Sequence, residues 1–315
     1  MDELHLLSTT SLTKSQISQY ILRAKQLKEG EGGSNNLFLK HKTIVNLFYE
    51  PSTRTACSFH KAMLNLGGSV IHVADKYSSA EKGETLEDTI KTISLYADAI
   101  VLRHPLKGAS IRAANVSSVP IINAGDGNGE HPTQALLDIF TIQTELAKYN
   151  LDIDSENRAT NIVVTFTGDL KNSRTIHSLI HILCLFPKIE FQFVSPNGLE
   201  MPQILLDKLT NFKIGFTTNM RLEDALKTSD VLYVTRIQKE RFTNIEEYDA
   251  AVTQVPPING EILKRHAKRE MIIMHPLPRL NEIAVEVDED DRAVYFEQVK
   301  NGVYMRMAIL EKVLV

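Results

Sequence analysis

The sequence predicts an α/β protein of two domains, each built on a mostly parallel sheet, and three observations carry that prediction. Its 315 residues are about twice the length of a typical single domain. Short β-branched apolar runs alternate with stretches of helical period along the whole chain. Residues 149–161 (YNLDIDSENRATN) are polar and aperiodic, and they divide two halves that each show the alternation.

In the first half, helical spacing over residues 14–27 is followed by a polar, glycine-rich loop at 29–36 and a buried strand at 43–49. Helical spacing over 56–66 stops at Gly67-Gly68, as helices often do. A strand at 69–73, a polar loop at 74–83, a helix at 85–96 and a strand at 99–103 continue the pattern. A further strand at 119–123 runs into a glycine-rich loop ending at His131, and a helix at 133–148 closes the half. The second half contains strands near 161–166, 189–194, 213–217, 231–234 and 271–274, separated by helical stretches. The acidic run 288–291 fits the N-terminus of a last helix at 290–314, where carboxylates complement the helix dipole.

Composition removes several classes of function. Apolar residues make up 43% and charged residues 23%, with 15 Gly and 11 Pro, as in soluble globular chains. A formal net charge of −4 offers no net attraction to a phosphate backbone, so nucleic acid is not expected as a partner. The start is acidic, without a signal-peptide pattern, and the densest apolar run, 179–186, is far short of the roughly 20 residues of a membrane span. No membrane partner and a cytoplasmic location are expected. Cys57 and Cys184 lie far apart with no CxxC spacing, so a zinc site or disulfide is not indicated, and both read as small buried packing residues.

The strongest local signal is Ser52-Thr53-Arg54-Thr55, directly between a strand and a helix. Free backbone N–H groups at a helix start, three hydroxyls and a guanidinium make an anion cradle. The same residues also read as an ordinary Ser/Thr N-cap beside a surface arginine. Further cations and donors follow other strands: Arg103-His104-Pro105, His131-Pro-Thr-Gln134, Arg174, Thr235-Arg236-Ile-Gln238 with Arg241, and His275-Pro-Leu-Pro-Arg279. In an open α/β sheet those carboxyl-end loops converge on the ligand crevice. Several strand-end arginines in a net acidic chain point to a small polyanionic ligand.

Three other motifs do not hold up. Gly125-Asp-Gly127-Asn-Gly129-Glu130 has a carboxylate where a dinucleotide fingerprint needs its third glycine. Lys82-Gly83-Glu84-Thr85 lacks the order and upstream glycine of a P-loop. His177 and His181 have i, i+4 spacing, but Ser178 stands where a zinc protease needs glutamate, so both read as packed helix residues.

Phe-x-Glu-x-Ser-Thr-Arg-Thr, Lys-Gly-Glu-Thr-Leu, Arg-His-Pro, His-Pro-Thr-Gln, Gly-Asp-Leu-x-x-x-Arg-Thr, Thr-Arg-x-Gln-Lys-Glu-Arg and His-Pro-Leu-Pro-Arg follow one another across essentially the whole chain. In these motifs the sequence resembles the catalytic chains of aspartate carbamoyltransferases. The resemblance implies two doubly wound domains: residues 1–148 for carbamoyl phosphate and 149–290 for aspartate. A C-terminal helix, 291–315, would pack back on the first domain. It also implies transfer of the carbamoyl group of carbamoyl phosphate to L-aspartate in pyrimidine synthesis, without metal or organic cofactor.

Residue by residue, the resemblance implies that Ser52, Thr53, Arg54 and Thr55 hold the phosphate, and that Thr55, Arg103 and His131 form an oxyanion hole for the carbamoyl oxygen. It gives the carbamoyl NH2 to Gln134 and the carbonyls of Pro276 and Leu277, with Pro278 shaping the turn. Arg174, Arg236 and Gln238 would take the carboxylates of aspartate, a role suited to guanidinium forks. Ser78 and Lys82 would reach into the neighbouring subunit's site, Lys82 meeting both substrates, so that a homotrimer shares its active sites. Glu50 would bridge to Arg174 and Arg241 to stabilise a closed form. No dedicated side-chain base stands out in the sequence, which leaves the departing phosphate as a candidate acceptor of the amine proton.

Ornithine carbamoyltransferases share the first half of these motifs but carry a Ser-Met-Gly signature and a His-Cys-Leu-Pro segment, and this chain has neither. Arg174 and Arg236 suit a dicarboxylate and disfavour an ammonium group. A non-catalytic carbamoyl phosphate-binding relative is opposed by the intact set Ser52–Thr55, Lys82, Arg103 and His131. A free-standing catalytic subunit is expected, rather than a domain of a multifunctional polypeptide, and a separate regulatory chain is compatible with it.

Overall fold

The computed structural model describes residues 4–30, 38–74 and 83–315. They divide into two compact units, one of residues up to 140 together with 299–315, the other of residues 141–298. In the first unit the elements are α1 (Lys14–Glu29), β1 (Thr43–Phe48), α2 (Thr53–Asn65), β2 (Ser69–Ala74), α3 (Leu86–Ile93), β3 (Ala99–His104), α4 (Ala109–Ala114) and β4 (Ile121–Asp126). Helix α5 (Pro132–Ala147) leads out of it. The second unit contains β5 (Ile162–Thr167), α6 (Arg174–Leu183), β6 (Ile189–Val194), α7 (Gln203–Asn211), β7 (Gly215–Thr217), α8 (Leu222–Leu226), β8 (Val231–Val234), α9 (Ile245–Gln254), α10 (Gly260–His266) and β9 (Ile272–Met274). Helix α11 (Tyr295–Leu314) ends the chain.

Both sheets are parallel throughout, with strand orders β2-β1-β3-β4 and β7-β6-β5-β8-β9. Their central strands are buried almost without interruption, which is why they read as continuous apolar runs. In the first sheet Val45, Leu47, Ile100 and Leu102 pack with Leu86 and Ile90 of α3 and Ala109 and Ala113 of α4. In the second, Phe166, Phe191, Phe193 and Tyr233 form an aromatic cluster, and Leu232 and Ile273 pack with Leu222, Leu226 and Leu263.

The order of strands matters for function. In each sheet the chain builds outward in one direction and then returns to the other side of its first strand, so β1/β3 and β5/β8 are topological switch points, where open α/β sheets bind ligands.

The structure differs from the sequence expectations at several places. Helix α2 starts at Thr53, not at 56, because the hydroxyl-rich residues that hide its apolar period form its first turn. Helix α4, six residues of mostly small side chains, had no periodic signal. The last helix begins at Tyr295, since the backbone of Arg292 and Val294 is bonded to Ile273 of β9 at 2.7 and 3.0 Å. The acidic run therefore does not cap it: Asp288 pairs with Arg279, and Asp290 with Arg292. The unit boundaries fall inside α5 and α11, so residues 141–148 and 291–298 group with the second unit. Cys57 is exposed and Cys184 half-buried, because Cys57 lies on the outer face of α2; neither is the fully buried packing residue expected.

Candidate active site

In the first unit the candidate residues gather at the carboxyl ends of β1, β3 and β4. Strand β1 ends at Phe48, and Ser52 stands as N-cap of α2 with φ −154°. Its side chain does not cap the helix; it donates instead to Thr55 Oγ1 at 3.0 Å. The first-turn amides of α2 therefore keep their anion-binding character. Thr53 and Arg54 are exposed and Thr55 is buried. Partial desolvation lowers the Arg54 guanidinium from its ordinary range, a shift that a bound anion would oppose.

Arg103 lies in register with Phe48, one strand across the switch point. The β3–β4 register slips by one residue around it, and such irregularities re-aim side chains. Its Nη1 donates to Ala124 O at 3.3 Å, and its Nη2 lies 3.4 Å from Glu50 Oε2. Glu50 is thus an ion-pair partner of Arg103 within this unit.

His131 is buried at the start of α5, its Nδ1 3.4 Å from Thr133 Oγ1, and Gln134 follows one turn on. The loop before it is braced by Asp126, whose carboxylate accepts from the amides of Gly108 (2.8 Å) and Glu130 (2.7 Å). A Cβ on Gly127, at φ +51°, would collide with the carbonyl of Pro105, so only glycine fits. Glu130 anchors the N-terminal segment, since its carboxylate accepts from Ser8 Oγ at 2.5 Å and from the Thr9 amide and hydroxyl at 2.6 Å.

In the second unit the pattern repeats at β5, β8 and β9. Arg174 opens α6 after β5. Thr235, Arg236 and Gln238 follow β8, across the second switch point. Gln238 Nε2 lies 3.5 Å from the carbonyl of Asn172, two residues before Arg174, and Arg241 Nε lies 3.5 Å from Gln238 Oε1. After β9 the turn Pro276-Leu277-Pro278 has Leu277 at φ +57° and a cis Leu277–Pro278 bond. His275 supports it, accepting the Leu277 amide N–H on Nδ1 at 2.8 Å. Of the other histidines, His177 bonds the carbonyl of Leu170 through Nε2 at 2.7 Å, which suits a packed helix residue. Ser78 and Lys82 lie outside the described residues.

The first unit thus joins an anion cradle to cationic and imidazole donors, and the second presents two arginines and an amide around a switch point. Comparison with known proteins decides the family. Residues 4–144 match the family model described as the carbamoyl-P binding domain of aspartate/ornithine carbamoyltransferases, and residues 160–313 match the Asp/Orn binding domain. The aspartate carbamoyltransferase catalytic subunit of Archaeoglobus fulgidus is 46% identical over 312 residues, 98% of this chain and 99% of that one. The chain belongs to the aspartate carbamoyltransferase family. Among other members, the multifunctional protein CAD of Squalus acanthias is 47% identical over 98% of this chain, which spans only 13% of that protein's length. A solved aspartate transcarbamoylase from Trypanosoma cruzi, in complex with carbamoyl phosphate and aspartate, superimposes with a TM-score of 0.90 at 38% identity, covering 99% of this chain and 97% of that one.

The family motifs also have supports that the sequence did not single out. Asp138 accepts from Gln134, Arg306 bonds Ser58 on α2, and Glu282 faces His275. Asp138 and Arg306 carried a signal in hindsight, as lone charges in otherwise apolar stretches of their helices. Among the described residues, no helix is long and apolar enough to cross a membrane.

Proposed function

We propose that the chain transfers the carbamoyl group of carbamoyl phosphate to the amine of L-aspartate, giving N-carbamoyl-L-aspartate and phosphate for pyrimidine synthesis. The observation that carries this reading is the placement of Ser52–Thr55 with Arg103 at one switch point, and of Arg174 with Arg236 at the other. The first set suits a phosphate and an adjoining carbonyl; the second suits two carboxylates.

The α2 amides, the hydroxyls and Arg54 bind the phosphate. Thr55, Arg103 and His131 direct donors at the carbamoyl oxygen, where charge grows as the amine attacks. Each such donor contributes about 3–4 kcal/mol to transition-state stabilisation in comparable sites. Gln134 and the carbonyls of Pro276 and Leu277 bind the carbamoyl NH2, with Pro278 setting the turn. Arg174, Arg236 and Gln238 orient aspartate, so that much of the rate comes from positioning. The C–O bond to phosphate breaks as the C–N bond forms, and the departing phosphate takes the amine proton. No step needs a metal or organic cofactor. The active assembly is a cytoplasmic homotrimer, in which Ser78 and Lys82 of one subunit complete the site of the next.

The test is product formation from carbamoyl phosphate with L-aspartate and, separately, with L-ornithine, using Arg54→Ala as the blank. Carbamoyl-aspartate from wild type alone is the expected result. Citrulline would show that Arg236 and Gln238 have been misassigned, and no product from a folded protein would favour a non-catalytic carbamoyl phosphate binder.

A further inference from the structure

Two buried charged residues in the first unit have no place in the chemistry above. Arg306 of α11 is fully buried; its Nη1 donates to Ser58 Oγ at 3.0 Å and to Gly302 O at 3.2 Å, and its guanidinium stands 5.1 Å from the Phe59 ring centroid. Burial pushes Arg306 down to about 10, and the charge of Asp138 opposes that shift. Arg306 therefore remains a cation at neutral pH, with Asp138, itself wholly buried on α5, as a counter-charge. Buried charges of this kind are no strong source of stability and need another reason.

The reason lies one helical turn before Asp138. Gln134 Nε2 donates to Asp138 Oδ1 at 2.8 Å. A side-chain amide can meet a neighbour with either end, but a carboxylate only accepts. Asp138 therefore selects the NH2 end of Gln134 and commits it inward. Gln134 is only half-buried, and among the described residues its Oε1 accepts no hydrogen bond.

We propose that Asp138 is a positioning residue that fixes the flip of the Gln134 amide, so that the carbonyl Oε1 is the end offered to the NH2 group of carbamoyl phosphate. This rests on the carbamoyl transfer proposed above. It makes Asp138 a determinant of donor specificity: the pair chooses an acceptor where the substrate brings two N–H donors. The donor that lacks them is acetyl phosphate, in which a methyl group replaces the NH2.

The experiment measures the dissociation constants of carbamoyl phosphate, acetyl phosphate and inorganic phosphate by calorimetry on the intact oligomer. In Asp138→Asn the neutral amide accepts Gln134 in either orientation, and Arg306 loses its counter-charge. The expected result is about tenfold weaker binding of carbamoyl phosphate, with acetyl phosphate and inorganic phosphate changed less than about twofold. In a Gln134→Ala background, Asp138→Asn should add no further loss, because the residue acts through Gln134. Equal weakening of carbamoyl and acetyl phosphate would overturn the proposal, as would a loss that persists in the Gln134→Ala background. If Asp138→Asn alone does not fold, Asp138→Asn with Arg306→Met removes both buried charges together and carries the same measurement. Wild type that binds neither acyl phosphate would overturn the assigned function itself, a result separable from wild type that binds carbamoyl phosphate while Asp138→Asn discriminates as well as wild type does.

Discussion

The imidazole of His275 holds Leu277 in a left-handed backbone conformation: its Nδ1 accepts the Leu277 amide N–H at 2.8 Å, and Leu277 has φ +57°. Because Nδ1 accepts, the ring proton sits on Nε2, which donates to Glu282 Oε1 at 2.8 Å. Burial would raise the Glu282 carboxyl, but the His275 donor and the backbone amides outweigh it and hold the group below its ordinary range. His275→Ala leaves two polar partners unmet, at a cost of about 1–3 kcal/mol in chemical denaturation. It also releases the carbonyls of Pro276 and Leu277, so KM for carbamoyl phosphate should rise. His275→Asn can keep the bond to Leu277 through Oδ1 without reaching Glu282, and should raise KM less.

Gly168 controls the spacing of the second switch point. It has φ +109°, and a Cβ there would lie far inside contact distance of the Thr235 carbonyl, on the neighbouring β8 loop. Gly168→Ala must separate the loops bearing Arg174 and Arg236. It should cost at least about 2 kcal/mol of stability. The enzyme that still folds should show a several-fold higher KM for aspartate, while carbamoyl phosphate binding changes less than about twofold. Steady-state kinetics with each substrate varied in turn reads the difference.

What the sequence disclosed follows from how locally each feature is encoded. Among the described residues, the inner strands β1, β3, β5 and β8 left apolar runs because parallel strands buried on both faces need no alternation, whereas the edge strands β2 and β7 are largely exposed. The candidate site residues were legible because they sit just beyond those runs, at strand ends and helix starts. Helix α4 was not, since Ala109–Ala114 has mostly small side chains and no long apolar period. The start of α11 was misplaced because pairing with Ile273 is a tertiary contact that overrides helix propensity. Asp138 and Arg306 are 168 positions apart, and nothing local reveals that one charge answers the other.

Acid should weaken the turn after Pro278 by a route that Asp288 controls. The hydrogen bond from Arg279 and that from Tyr295 hold the Asp288 carboxyl below its ordinary value. A carboxyl whose folded-state value is depressed contributes stability above its unfolded value, near 4, and loses it as pH falls through the lower folded value. The stability difference between wild type and Asp288→Asn should therefore be constant above about pH 5 and shrink below pH 4. Urea denaturation at a series of pH values checks the sign, and a difference that grows on acidification would show that Asp288 is not the group responsible.

A shared active site makes a quantitative statement about mixed oligomers. If Lys82 of one subunit serves the site containing Arg54 of the next, then Arg54→Ala and Lys82→Ala homotrimers are each inactive for different reasons. On random exchange of equal amounts, a site is intact only when its own chain keeps Arg54 and its neighbour keeps Lys82. Each condition holds for half the subunits, so about a quarter of the wild-type activity should return. Arg54 heads α2 in the first unit, and mass spectrometry of the mixture establishes that exchange has occurred. Exchanged trimers without recovered activity would place Lys82 in the site of its own chain.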